Sequence, residues 1–115
     1  MESKATVAAL AALAHEHRLS LFRLLVQRGP EGLSAGTIAE RLGILPTSLS
    51  FHLQQLAHAG LVTQRRLGRQ VIYAADYRAM RGLIAFLTKN CCAESAVDCA
   101  SADSKPTSGR RRRAA

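Results

Sequence analysis

The sequence predicts a small, mainly α-helical domain that carries one β-hairpin. Three observations predict it. Apolar residues recur at helical spacing in five separate stretches, and Gly and Pro stand where those stretches have to stop or start. One segment, residues 61–75, switches to a strand-like pattern around a glycine.

The elements follow in order. Residues 4–14 are Ala-rich, with Val7, Leu10, Leu13 and Ala14 at helical spacing. A second helix is expected over residues 16–27. Leu21, Phe22 and Leu25 line one face, Arg18, Arg23 and Arg28 lie largely on others, and Gly29-Pro30 ends it. Ser34 is placed to cap a short helix through Leu42, with Ile38 and Leu42 on its apolar face. Gly43 suits a left-handed stop. Pro46 suits the first turn of a fourth helix running to about Ala59, with Leu49, Leu53 and Leu56 toward the core and Gly60 as terminator. Residues 61–66 and 70–75 read as two strands joined around Gly68, carrying Arg65, Arg66 and Arg69. A last helix is expected over residues 77–90, striped by Met80, Leu83, Ile84 and Leu87.

Composition narrows the function. The 115 residues suffice for one domain, and 48% hydrophobic content gives it a core built from Leu, Ile, Val and Ala, since aromatics are 4% and Trp is absent. The net charge of +8 points to a polyanion, nucleic acid first and an anionic membrane second. Residues 1–90 hold 11 basic and 5 acidic side chains, so the excess is not confined to the Arg110 to Arg113 run. The start of the chain lacks a secretory pattern, and no stretch approaches the roughly 20 apolar residues of a membrane helix. A cytoplasmic protein without a membrane partner is therefore expected. In that compartment the three cysteines point to metal binding or redox chemistry before structural disulfides.

The helices at 34–42 and 46–59, joined by a brief turn, form a helix-turn-helix candidate. The second helix would enter the major groove of double-stranded DNA by its N-terminal end. Thr47, Ser48, Ser50, Phe51 and Gln54 are its expected exposed positions. Hydroxyls and amides bond base edges or phosphates, Phe51 offers an apolar surface to a thymine methyl, and His52 is expected to donate to a phosphate. A plain helical hairpin with polar outer faces has the same spacing. The arginine-bearing hairpin that follows tips the balance, because Arg65, Arg66 and Arg69 would lie against phosphates or reach the minor groove. The fold class is thus mainly α with a small β-hairpin wing, a winged helix-turn-helix.

The stretch Leu13-Ala14-His15-Glu16-His17-Arg18-Leu19, the later HLQQLAHAGLV and RRLGR, and Tyr73 resemble the ArsR/SmtB family of metal-sensing repressors. The resemblance covers roughly residues 8–90. It implies a homodimer built from the first and last helices, two recognition helices about one DNA turn apart, and a repressor that releases its operator when an effector binds. Two positions depart from the family pattern. Leu45 stands where a Ser or Thr cap is usual, and Phe51 where a basic residue is common.

The resemblance also implies where effectors bind. The positions that match the family's Cys-Val-Cys arsenic site are Ser34, Ala35 and Gly36, so that site is absent. Residues 77–90 contain no Asp, Glu or His, so the family's zinc site on the last helix is absent too. What remains is Cys91, Cys92 and Cys99. Soft thiolates select thiophilic ions, and three thiols without His suit pyramidal As(III). Neighbouring helical residues point about 100° apart, so the helix is expected to end near Asn90 and the segment to fold back. The expected layout is a DNA-binding and dimerisation domain over residues 1–90, an effector segment over 91–99 and an unpacked basic tail over 100–115. The expected protein is an arsenite-responsive repressor that needs no cofactor. Antimonite, Sb(III), and methylarsenite are further candidate effectors.

Other readings stand beside it. A redox repressor would use the same cysteines as a disulfide, although a helix C-terminus disfavours thiolate. A thiol-dependent arsenate reductase would need an oxyanion cradle that the residues around Cys91 do not offer, so an enzyme is not expected. His15 and His17 invite a metal reading, yet their i, i+2 spacing does not converge on one helix face, and capping the second helix is the expectation. His58 is expected to be solvated.

Overall fold

A computed structural model describes residues 1–96. The order is α1 (Ser3–Leu13), α2 (Glu16–Arg28), β1 (Leu33–Ser34), α3 (Ala35–Leu42), α4 (Pro46–His58), β2 (Val62–Leu67), β3 (Gln70–Ala75) and α5 (Tyr77–Thr88). All five expected helices and both long strands are present. The arrangement is a winged helix-turn-helix, mainly helical, with a small antiparallel sheet.

The core sits where α2, α3 and α4 meet. Leu21, Leu25, Ile38, Leu49, Leu56 and Leu61 are fully buried there. Burying one such side chain contributes about 1.5–3 kcal/mol, so this cluster fixes how α4 lies against the body. Ala9 and Ala12 bring α1 onto the same core through a face of small side chains that permits close approach.

Polar side chains cap three of the five helices, α2, α3 and α5. The Ser34 hydroxyl accepts from the Thr37 N–H at 3.3 Å and opens α3. Gly43 closes α3 in the left-handed region, φ 65°, and turns the chain toward α4. Asp76 accepts from the Ala79 N–H at 3.1 Å to open α5, while its own N–H donates to the Leu61 carbonyl. The Tyr77 hydroxyl reaches the Leu25 and Val26 carbonyls, both at 3.2 Å, and holds the start of α5 on the end of α2.

The sheet differs from the sequence expectation. It has three strands in the order β1-β3-β2, and β1 pairs Leu33 with Tyr73 and Ser34 with Ile72. Two residues carry no periodicity, so only the pairing with β3 makes them a strand. Gly32, at φ +72°, is required on entry to β1, where a Cβ would collide with the Tyr73 carbonyl oxygen. The hairpin register aligns Arg65 with Ile72 and Arg66 with Val71, and Gly68-Arg69 form the turn between Leu67 and Gln70. The last helix ends at Thr88, two residues before the expected boundary, and turns follow through Glu94. Among the described residues, no helix is long and apolar enough to cross a membrane.

Candidate nucleic-acid interface and thiol site

The exposed face of α4 is the one expected. Thr47, Ser48, Ser50, Phe51 and Gln54 are all exposed, while Leu49, Leu53 and Leu56 hold the opposite face on the core. Leu45 occupies the N-cap position without a side-chain hydrogen bond, and Pro46 follows it at the first turn. The positive end of α4 therefore faces outward without a side chain occupying its N–H groups, a geometry suited to phosphate.

His52 corrects the expectation. Its side chain is 7% exposed and turns away from the outer face of α4. Its ring lies 4.7 Å from that of His15 and 5.6 Å from that of His17, centre to centre, and the Arg18 Nη1 is 3.4 Å from its Nδ1. Burial first, and then the neighbouring His15, Arg18 and His17, hold the His52 imidazole below the usual histidine range. A histidine so placed does not reach a DNA phosphate. The sequence did hold a signal. His52 lies three residues after Leu49 and four before Leu56, on the apolar stripe itself.

The wing divides its three arginines. Cross-strand partners share a face, which puts Arg65 with Ile72 and Arg66 with Val71 on opposite sides. Arg65 reaches back to the body, its Nη2 donating to the Glu31 carbonyl at 3.0 Å and its Nη1 to the Pro30 carbonyl at 3.4 Å. Arg66 shares its face with Gln64 and Tyr73, and these two close a cleft of about 240 Å³ against Ser50, Leu53, Gln54 and Ala57 of α4. Arg66 and the exposed Arg69 at the turn are thus presented on the side of α4 or at the tip. Gln64, which sequence reasoning passed over, lies on this same face.

Past Thr88 the backbone enters the left-handed region at Asn90, φ 60°, and again at Cys92, φ 59°. These two reversals leave Cys91 and Cys92 exposed, with their Sγ atoms 3.8 Å apart. Two sulfurs 3.8 Å apart can both bond one ion at metal–sulfur distances of about 2.3 Å. Cys99 and the 100–115 tail lie outside the described residues.

Several apolar side chains of α1 and α5 are exposed. Val7 is 63% exposed, Ile84 53% and Leu87 60%, and Leu10 and Phe86 are exposed as well. Of the stripe expected on α5, Leu83 is buried, Met80 is half-buried against the core, and Ile84 and Leu87 are exposed.

The comparisons agree with this geometry. Residues 13–65 match the family described as Helix-turn-helix domain. An uncharacterized HTH-type transcriptional regulator of Bacillus subtilis, YceK, is 40% identical over 58 residues, which is 50% of this chain and 57% of the relative. The match spans little more than half of that relative's length. Among solved structures, an ArsR-like transcriptional regulator from Rhodococcus sp. RHA1 superposes with a TM-score of 0.67 at 27% identity, covering 79% of this chain and 82% of that one. HlyU from Vibrio cholerae gives 0.63 at 31% identity, over 80% and 99%. Mb0332 from Mycobacterium bovis, a homodimeric winged helix-turn-helix domain described as a possible ArsR-family regulator, gives 0.62 at 27%, over 82% and 87%.

Proposed function

We propose that this chain, which belongs to the ArsR family of winged helix-turn-helix transcriptional regulators, is an arsenite-responsive repressor. It is a regulator rather than an enzyme, as its relatives are. The finer reading is that it works in the cytoplasm as a homodimer on a near-palindromic operator, and that As(III) at Cys91, Cys92 and Cys99 releases it. The homodimeric state of the Mycobacterium bovis relative and the exposed apolar residues of α1 and α5 support the dimer. The base-facing residues are Thr47, Ser48, Ser50, Phe51 and Gln54. Arg66 and Arg69 contact phosphate, and Arg65 braces the wing.

The observation that carries the effector reading is the Cys91–Cys92 pair, exposed and 3.8 Å apart where the chain leaves the helix that bears Ile84 and Leu87. An ion drawing these sulfurs and Cys99 together pulls on the end of α5. If α5 forms the interface, the spacing of the two recognition helices changes, and operator affinity falls by the coupling free energy. Such couplings are about 1–3 kcal/mol, or roughly 5–150-fold.

The test is fluorescence anisotropy of labelled DNA from upstream of this protein's gene, titrated with arsenite under metal-free, non-thiol reducing conditions. Loss of anisotropy that Cys92→Ser and Cys99→Ser abolish is the expected result. Tight binding that ignores arsenite but yields to methylarsenite, antimonite or peroxide would move the assignment to that effector. Absence of binding to any promoter fragment would remove the repressor reading.

A further inference from the structure

A second cluster of ligating side chains lies well away from the thiols. The α1–α2 junction carries His15 and His17, and α4 brings His52 to the same place from 35 residues further along the chain. Each offers an imidazole nitrogen, and the three nitrogens lie within 4.8 Å of one another. Their ring centres form an isosceles triangle with two sides of 5.6 Å and one of 4.7 Å, and the ring planes are mutually tilted by 47° to 79°. We propose that His15, His17 and His52 form a binding site for a borderline divalent cation, with Zn2+ the best fit.

The dimensions support the choice of metal. A tetrahedral zinc with Zn–N bonds of about 2.0–2.1 Å holds its imidazole ring centres about 5 Å apart. The observed sides, 4.7 to 5.6 Å, bracket that value. The nitrogens have to draw in from 4.8 Å to about 3.3 Å, and His15 and His17 are exposed and able to rotate toward the fixed, buried His52. Three tilted donors at the corners of a triangle make one face of a tetrahedron, whereas Cu(II) asks for a square plane. His15 and His17 are exposed, so a water molecule has access to the fourth position.

The hydrogen bonds set the resting tautomers of two of the rings. The His17 N–H donates to His15 Nδ1 at 3.1 Å, which makes His15 the cap of α2 and leaves its proton on Nε2. Arg18 carries only donors, so its 3.4 Å approach to His52 Nδ1 leaves that ring protonated on Nε2 as well. Ligation through Nδ1 would exchange the cap bond and the Arg18 contact for metal–nitrogen bonds, whereas ligation through Nε2 would displace the ring proton and keep both contacts. Arg18 keeps its other anchor, Nε to the Ala12 carbonyl at 2.6 Å. The result is a direct bond from the recognition helix to the start of α2. This site uses no residue of the arsenite reading, so either can fail without the other.

The test uses the tag-free, full-length chain with Cys91→Ser, Cys92→Ser and Cys99→Ser, which removes every thiol. Zn2+ is titrated against a chromophoric chelator, and Co2+ is followed by its visible d–d absorption. The expected result is one Zn2+ per chain and a four-coordinate Co2+ spectrum without a sulfur charge-transfer band. His17→Asn and His15→Asn should each weaken binding by more than the roughly 10–100-fold that loss of a mere supporting residue costs. Both positions are exposed, and Asn at position 15 still caps α2, so unchanged helical circular dichroism should accompany the loss. Binding that survives both substitutions, or that His58→Asn weakens equally, overturns the assignment. So does failure to compete with a micromolar chelator.

Discussion

Removing Arg66 should change how operator binding depends on salt, and removing Arg65 should not. Arg66 lies on the wing face shared with the α4 cleft, whereas Arg65 is hydrogen-bonded to the carbonyls of Pro30 and Glu31. Each phosphate neutralised on B-DNA contributes about −0.9 to the slope of log K against log salt. The proposed dimer presents two copies, so Arg66→Ala should flatten the slope by about 1.8. Between about 50 and 200 mM salt that amounts to roughly one log unit, so the variant's deficit should be some tenfold larger at the low end. Arg65→Ala should leave the slope near that of the parent. Its cost should appear as lost stability, at the low end of about 0.5–1.5 kcal/mol per hydrogen bond because the contacts are exposed. The assay is anisotropy on one operator fragment over four salt concentrations, with thermal unfolding in parallel. Equal flattening by the two substitutions, or none by Arg66→Ala, would refute the division of the wing.

Two further outcomes follow from the geometry. Ser34→Ala removes the hydroxyl that accepts from the Thr37 N–H, and should destabilise the fold by about 0.5–2 kcal/mol. In urea this should appear as a lower midpoint with an unchanged slope, and a shift of less than a few tenths of a kcal/mol would deny the cap its role. Ile84→Glu places a charge on the exposed stripe of α5 and should yield a folded monomer in sedimentation, with operator affinity at least tenfold lower. A dimer that persists would move the interface elsewhere.

Most of the fold could be read from the chain because its signals are local. Pro46 and Gly43 act through their own backbone angles, and Leu49, Leu53 and Leu56 through helical spacing alone. What escaped reading depends on partners distant in sequence. Leu33 and Ser34 form a strand only because Tyr73 and Ile72 lie beside them. The three arginines of the wing look alike in sequence, and only the register with β3 assigns them to different faces. His52 is instructive in another way. Its spacing put it on the apolar stripe, but its polarity suggested an outward role, and the space it fills against His15 and Arg18 exists only after α1, α2 and α4 assemble.

Ser34 belongs to two elements at once. Its backbone is the second residue of β1, paired with Ile72, and its hydroxyl caps α3. Strand and helix therefore meet without a linker, and Arg65 adds a second tie from the wing to the turn before β1. The wing cannot swing relative to α3 without breaking sheet pairing, the cap or both. The wing and α3 thus behave as one machined part with no internal joint. Whatever switches such a part has to reposition it whole, as a pair of callipers is opened at the pivot rather than bent at the tips.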